Sequence, residues 1–198
     1  MASEGGLRAH SSVGTGAGSS PTVAYKIASA EATDIFEGDL VKMVDDGTVV
    51  AMSAVTDVAI AGVFVGCEYT DSNGQRQWSN KYTDTITQDD TVAFVNSNPH
   101  QVYKIRVGTA DVDGTTTRTS VGLRFDIDFN AGNSTTGQSG MILDTGTAGA
   151  TTVANVKVIG VLNEDGTDGA KGAAAKTFTH ALVIIDPDIS VFGASAGI

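Results

Sequence analysis

From residue 22 onward, apolar and polar positions alternate in short runs broken by turn residues. Val23, Tyr25 and Ile27 fall on one face of an extended segment, with polar Lys26 on the other. Successive strand side chains point to opposite faces, so this period predicts a half-buried strand. The runs 35–43 and 48–52 are joined at Asp46-Gly47, a strong short-range hairpin signal because glycine accepts the positive φ such turns demand. The continuous apolar run 58–65 is short and interrupted by glycine, which predicts a buried strand rather than a helix. Residues 67–90 are polar, contain the single Trp, and predict a long hairpin or excursion. Strands follow at 91–95 and 102–107, with Pro99 placed in the turn because it lacks a backbone donor. Over 121–129, Leu123, Phe125, Ile127 and Phe129 share one face, and Arg124, Asp126 and Asp128 the other. Residues 151–162 and 178–185 predict two more strands around a glycine-rich loop at 163–176. Hardly a helix pattern occurs, so the fold class is all-β, an antiparallel sandwich or barrel.

Residues 1–21 are Gly, Ser and Ala with almost no large apolar side chain. Such a segment does not offset its own ordering entropy, and it predicts a flexible arm that orders on a partner. The expected division is an arm at 1–21, β subdomains at 22–108 and 109–188, and a tail at 189–198.

Composition supports this picture. Hydrophobic residues make up 41% of 198, enough for a core, and they lean on Val, Ile and Ala. Val, Ile and Thr suit a pleated surface because they branch at Cβ. The net charge of −11 repels phosphate backbones and argues against direct nucleic-acid binding. No apolar stretch approaches the roughly 18 residues a membrane helix needs. No signal peptide is visible at the N-terminus, so the expectation is synthesis in the cytoplasm without Sec export.

Candidate chemistry is sparse. Cys67 is the lone cysteine and reads as a small buried hydrophobe, with no disulfide or cysteine-based zinc site. His10, His100 and His180 stand without a nucleophile motif, and each is more often a packing or solvent-facing residue. Asp126 and Asp128 share a strand face, where like charges repel unless paired, and Arg124 is placed to neutralise one. The loop Asn163-Glu-Asp-Gly166-Thr-Asp168-Gly169 lacks the order and distal Glu of a calcium loop and reads as turn-forming. The expectation is therefore no catalytic residue, no metal and no cofactor. Tyr69, Trp78 and Tyr82 form a candidate surface aromatic contact, for an interface or for a sugar.

The segments Phe36-Glu-Gly38-Asp39-Leu-Val41, Ile60-Ala-Gly-Val63-Phe-Val65-Gly66-Cys67-Glu-Tyr69-Thr-Asp71, Val92-Ala-Phe94-Val95 and Asn98-Pro-His-Gln-Val102-Tyr103-Lys-Ile105 resemble head decoration (cement) proteins of tailed bacteriophages, particularly of marine phages. The runs 156–162 and 181–185 fit the same pattern. The resemblance implies a virion structural protein on the outer surface of the capsid, often a homotrimer, that binds the major capsid protein and resists the pressure of packed DNA. Under that reading the arm holds the shell contacts, with Met1, Leu7, Arg8, His10, Val13 and Pro21 as the candidate residues. The alternative class is a virion-surface carbohydrate-binding or adhesin module using Trp78.

Overall fold

The computed structural model describes residues 5–13, 22–28, 31–109, 112–113, 116, 118–147, 149, 154–162 and 179–192. Sixteen strands occur among them, with two single-turn 3-10 helices at Arg118–Ser120 and Thr145–Thr147. The all-β class read from the alternation is the class observed.

The first sheet is built from β2 (Thr22–Lys26), β4 (Leu40–Met43), β5 (Val49–Ala51), β6 (Ile60–Thr70), β7 (Arg76–Ser79) and β9 (Val92–Asn96). Its order is β2-β9-β6-β4-β5, with β7 also on β6, and every pairing is antiparallel. The hairpin read at Asp46-Gly47 is the β4–β5 connection. A parallel bridge between Ile27 and Val49 brings the two ends of the sheet together, so it is nearly closed. A two-stranded ribbon of β3 (Ile35–Phe36) and β8 (Lys81–Tyr82) adds Ile35 and Tyr82 to its interior, beside Val41, Val49, Phe64, Cys67 and Val95.

The second sheet contains β1 (Arg8–Ser12), β10 (Gln101–Thr109), β11 (Val112–Asp113), β12 (Arg124–Phe125), β13 (Ile127–Asp128), β14 (Ile142–Asp144), β15 (Val156–Leu162) and β16 (His180–Ile185). Its order is β12-β15-β16-β10-β14-β13, with β1 and β11 also on β10. Only β10 and β14 run parallel. Strands β12 and β13 are successive stretches of one chain at opposite ends of that order, so this sheet also wraps back on itself. The predicted run 121–129 is thus two short strands with different partners, and Leu123 is exposed while Phe125 and Ile127 are buried.

One core joins the two sheets. Leu40, Met52, Ile60 and Val63 pack with Tyr103, Phe125, Ile127, Val158 and Val183. Strand β6 serves both cores because bulges reset its phase: Ile60 and Val63 face the shared core, while Ala61, Phe64 and Cys67 face the first sheet's interior. An extra residue in one strand of a pair flips the faces beyond it. The bulge needs Gly62, at φ +148°, because a Cβ there would lie 2.2 Å from the Asn96 carbonyl oxygen.

Three expected boundaries differ from the observed ones. The division at 108/109 falls inside β10: the first sheet ends at Asn96, and the chain crosses to the second through the Asn98-Pro99 turn. The arm expected over 1–21 is folded against its own chain from residue 5 to 13. Leu7 there is 2% exposed while Val13 stays exposed, and the Gly5, Gly6 and Leu7 amides donate to the Ser139, Met141 and Gly38 carbonyls at 3.1, 2.7 and 2.9 Å. A single buried leucine and a backbone ladder supply what side-chain composition alone did not. The tail expected from 189 begins folded, with Ile189 buried and Ile60 exchanging backbone hydrogen bonds with Ile189 and Val191 at 3.0 Å each. Met1, Pro21, the loop 163–176 and residues 193–198 lie outside the described residues.

Candidate functional site

The candidate arm residues do not behave alike. Leu7 is an anchor inside the shared core. Arg8, Ala9, His10 and Ser11 are all exposed, although β1 is hydrogen-bonded along β10. A bulge between Ala9 and Ser11 leaves His10 outside the register, with its Nδ1 3.3 Å from the Ser11 hydroxyl. The Arg8 guanidinium donates to the Gln138 side-chain oxygen. Val13 is exposed, and its amide donates to the His100 carbonyl at 2.8 Å. Among the described residues β1 pairs with β10 alone, so its other edge is open. An open strand edge presents unpaired backbone donors and acceptors on which another chain adds a strand.

The three aromatics read as one contact are separated by the sheet. Glu68 lies opposite Trp78 and Tyr69 opposite Gln77, so Tyr69 and Trp78 are on opposite faces. Tyr69 packs against the first sheet's interior, and Tyr82 is buried there with its hydroxyl donating to the Glu31 carbonyl at 3.2 Å. Burial is the main reason the Tyr82 phenol is raised, with the Glu31 carboxylate adding to it. Trp78 alone faces outward, 55% exposed. Its indole lies over Gly66, where a Cβ would meet the ring at 2.5 Å, and stands 5.2 Å from the Phe94 ring at a 45° tilt. Arg76 beside it bridges Glu68 at 3.2 Å and Asp90 at 3.0 Å. The missed partners, Gly66 and Phe94, are distant in sequence from Trp78, and only the β7-β6-β9 pairing brings them together.

Arg124 does not neutralise Asp126 or Asp128. Its Nε lies 2.9 Å from Asp186, which is buried, and its terminal nitrogen pairs with Asp188. Asp126 has its carboxyl raised, first by burial and then by the Asp144 charge. Burial of Cys67 pushes its thiol up to about 12, and its S–H donates to the Lys81 carbonyl at 3.4 Å. A thiol held protonated is a poor nucleophile and a poor metal ligand. His100 is exposed in the Asn98-Pro99 turn, and the His180 Nδ1 lies 3.1 Å from the Thr179 hydroxyl. Among the described residues no three His, Cys, Asp or Glu side chains cluster as a metal would require.

The most perturbed carboxyl is one the pattern did not single out. Asp39 is 5% exposed, accepts from the Phe36 amide at 2.8 Å and bonds the Ser139 side chain; burial raises it to about 6 against the lowering effect of those two bonds. Around it, the Glu37 backbone pairs with segment 137–139, and the Ser139 carbonyl holds the Gly5 amide. Asp39 therefore sits where the N-terminal segment, the first sheet and the second sheet are stitched together.

The described residues define an all-β protein with two wrapped sheets over a shared core, a second core inside the first sheet, an N-terminal strand paired on one side and one exposed indole platform. No protein-family model, curated protein or solved structure matches the chain.

Proposed function

We propose that the chain is a virion structural protein that decorates the outer surface of a tailed-phage head, binding the major capsid protein as a homotrimer and bracing the shell. The structural observation that supports the reading is β1. Its Arg8–Ser11 side chains are all exposed, it contributes backbone bonds rather than core, and among the described residues no strand pairs along its outer edge. A strand of that kind suits addition to a neighbour's sheet, where many weak, repeated contacts gain strength through multivalency. The segment resemblance at 36–41, 60–71, 92–95, 98–105, 156–162 and 181–185 supplies the identity of the partner.

The test is quantitative protein composition of purified virions, followed by addition of the purified chain to expanded shells that lack it. The expected result is a copy number comparable to that of the major capsid protein and saturable binding to the outer face. Absence from virions, or presence at only a few copies, overturns the reading.

A carbohydrate-binding module is the second reading, and the exposed Trp78 over Gly66, beside Arg76 and Glu68, favours it. A flat aromatic face next to paired polar groups suits stacking and hydrogen bonding to a sugar ring. Saturable glycan-array binding that is lost in Trp78→Ala supports it, and an array without signal removes it.

A further inference from the structure

A groove of about 780 Å³ opens where the β4–β5 hairpin, the loop before β6 and the segment after β16 meet. Its apolar wall is Met43, Val44, Val58, Ala59, Ile189 and Val191. Of the large apolar side chains exposed among the described residues, Val58 lines it, Val55 and Phe192 adjoin lining residues, and Val121, Leu123 and Ile159 lie on segments bonded to these. Backbone and side-chain bonds tie those segments together. The Asn155 side chain reaches the Val55 carbonyl at 3.4 Å, Arg124 pairs with Asp188, the Val158 amide donates to Leu123, and Val191 donates to Ile60. Exposed apolar residues gathered in this way mark an interaction site, whereas scattered ones need no explanation.

The backbone at the groove is also strained. Ala59 has φ +61°, the sole non-glycine residue with positive φ among those described, and it is held by the Met43 amide donating to its carbonyl at 2.9 Å. Left-handed backbone is strained at an L-residue, and such strain gathers at ligand clamps.

Charge selects the occupant. Four carboxylates, Asp45, Asp46, Asp57 and Asp188, stand at the rim with one cation, Lys42. Lys42 is already paired with Asp57 at 2.5 Å, and Asp188 with Arg124, which leaves Asp45 and Asp46 without a described cation. A second copy docked face to face would set this acidic rim against itself, a juxtaposition that costs rather than gains. An apolar wall under an unbalanced acidic rim fits an apolar segment carrying positive charge.

We infer that this groove docks an extended apolar peptide segment bearing lysine or arginine, presented by a protein other than a second copy of this chain. The inference deepens the proposed function and rests on it only for who presents the segment; under that reading it is the major capsid protein, and the groove is a grip separate from β1.

The test uses the full chain, isotopically labelled, and the probe peptide acetyl-Gly-Lys-Val-Leu-Val-Lys-Gly-amide, with one control carrying Glu for Lys and another carrying Ser for Val and Leu. Amide resonances of Met43, Val44, Val58, Ala59 and Val191 should shift saturably with the lysine peptide and with neither control. Raising the salt from about 50 to about 500 mM should weaken binding several-fold, because rim charges are screened. Asp45→Lys with Asp46→Lys should weaken it at least about tenfold, equivalent to ~1.4 kcal/mol. Val58→Ser, which leaves the hairpin turn intact, should weaken it several-fold as well. No shift at millimolar peptide, equal binding of the Glu control, or shifts of these amides with protein concentration alone overturns the inference. Shell binding separates the two proposals. If the peptide fails to bind while wild type binds expanded shells, the groove reading fails and decoration stands. If wild type never binds shells yet binds the peptide, decoration fails and the groove stands.

Discussion

Asp39 makes the fold more stable in mild acid than at neutral pH. Its carboxyl titrates at about 6 in the folded chain, against 3.8 as the ordinary value, because burial disfavours the charged form more than the Phe36 amide and Ser139 side chain favour it. The folded state therefore holds this proton more tightly than the unfolded chain does. The stability linked to it is fully present below about pH 3.8, is lost progressively as the pH rises through about 6, and stays lost above. At 1.36 kcal/mol per pH unit, the interval from 3.8 to about 6 corresponds to an upper bound of about 3 kcal/mol. Asn at this position keeps an oxygen for the Phe36 amide and presents an NH2 to the Ser139 hydroxyl, without a charge to bury. Asp39→Asn should thus raise unfolding stability at pH 7.5, by up to about 3 kcal/mol, and by only about a third as much at pH 4.5, where roughly 1 kcal/mol of the linked stability is already lost. Urea unfolding of both proteins at the two pH values, followed by far-UV circular dichroism, measures this. Asp46, Asp57, Asp71 and Asp90 are held below the ordinary value and lose their contribution only as the pH falls below about 3.8, so they cancel between the two proteins. Equal pH slopes for the two proteins, or a destabilised variant at pH 7.5, would refute the reasoning.

Three further outcomes are open to measurement. Gly66→Ala places a methyl 2.5 Å from the Trp78 ring and 2.8 Å from the Ser79 carbonyl, and should destabilise by about 1–3 kcal/mol. Adding Trp78→Ala should restore part of that loss, and strict additivity in the double-mutant cycle contradicts the packing. Ala59→Gly should stabilise by about 0.5–1 kcal/mol by relieving the left-handed strain; a destabilised variant in thermal unfolding argues against strain there. Cys67 should resist a thiol reagent at pH 8 in the native protein and react at once in denaturant, and fast native labelling contradicts its burial.

The two-residue period was enough to reach the all-β class and to place most strands. It found the Asp46-Gly47 hairpin and, within the run read as buried over 58–65, the buried stretch Ile60–Phe64, while Val58 is exposed and Val65 half-buried; local backbone chemistry and short apolar runs carry that much. It also placed Cys67 inside, since a small apolar side chain following an apolar run has little else to do. The N-terminus shows where that reasoning stops. Composition made 1–21 an arm, yet Leu7 finds a pocket made by residues from both sheets, and the amides of Gly5, Gly6 and Leu7 find carbonyls more than 30 and 130 positions away.

The candidate site was less legible than the fold, for the same reason. Tyr69, Trp78 and Tyr82 are neighbours in the sequence, but strand alternation and pairing send one outward and two toward the interior. Bulges at Ala61 and Val65 reset which face β6 presents, and an extra residue in a strand leaves no mark in hydrophobicity alone. Asp39 drew no notice within the run 35–43; burial under distant segments, with Ser139 a hundred positions on as its partner, raised its carboxyl to about 6. Arg124 was matched to the acids beside it and instead pairs with Asp186 and Asp188, brought near by the β12–β15–β16 order. By itself the sequence determined the strand class, the turns and the acidic balance, because these follow from residue type and near neighbours. Only the tertiary structure decided which faces are buried, which carboxyls are paired and where apolar surface stays open, because each depends on contacts between distant segments.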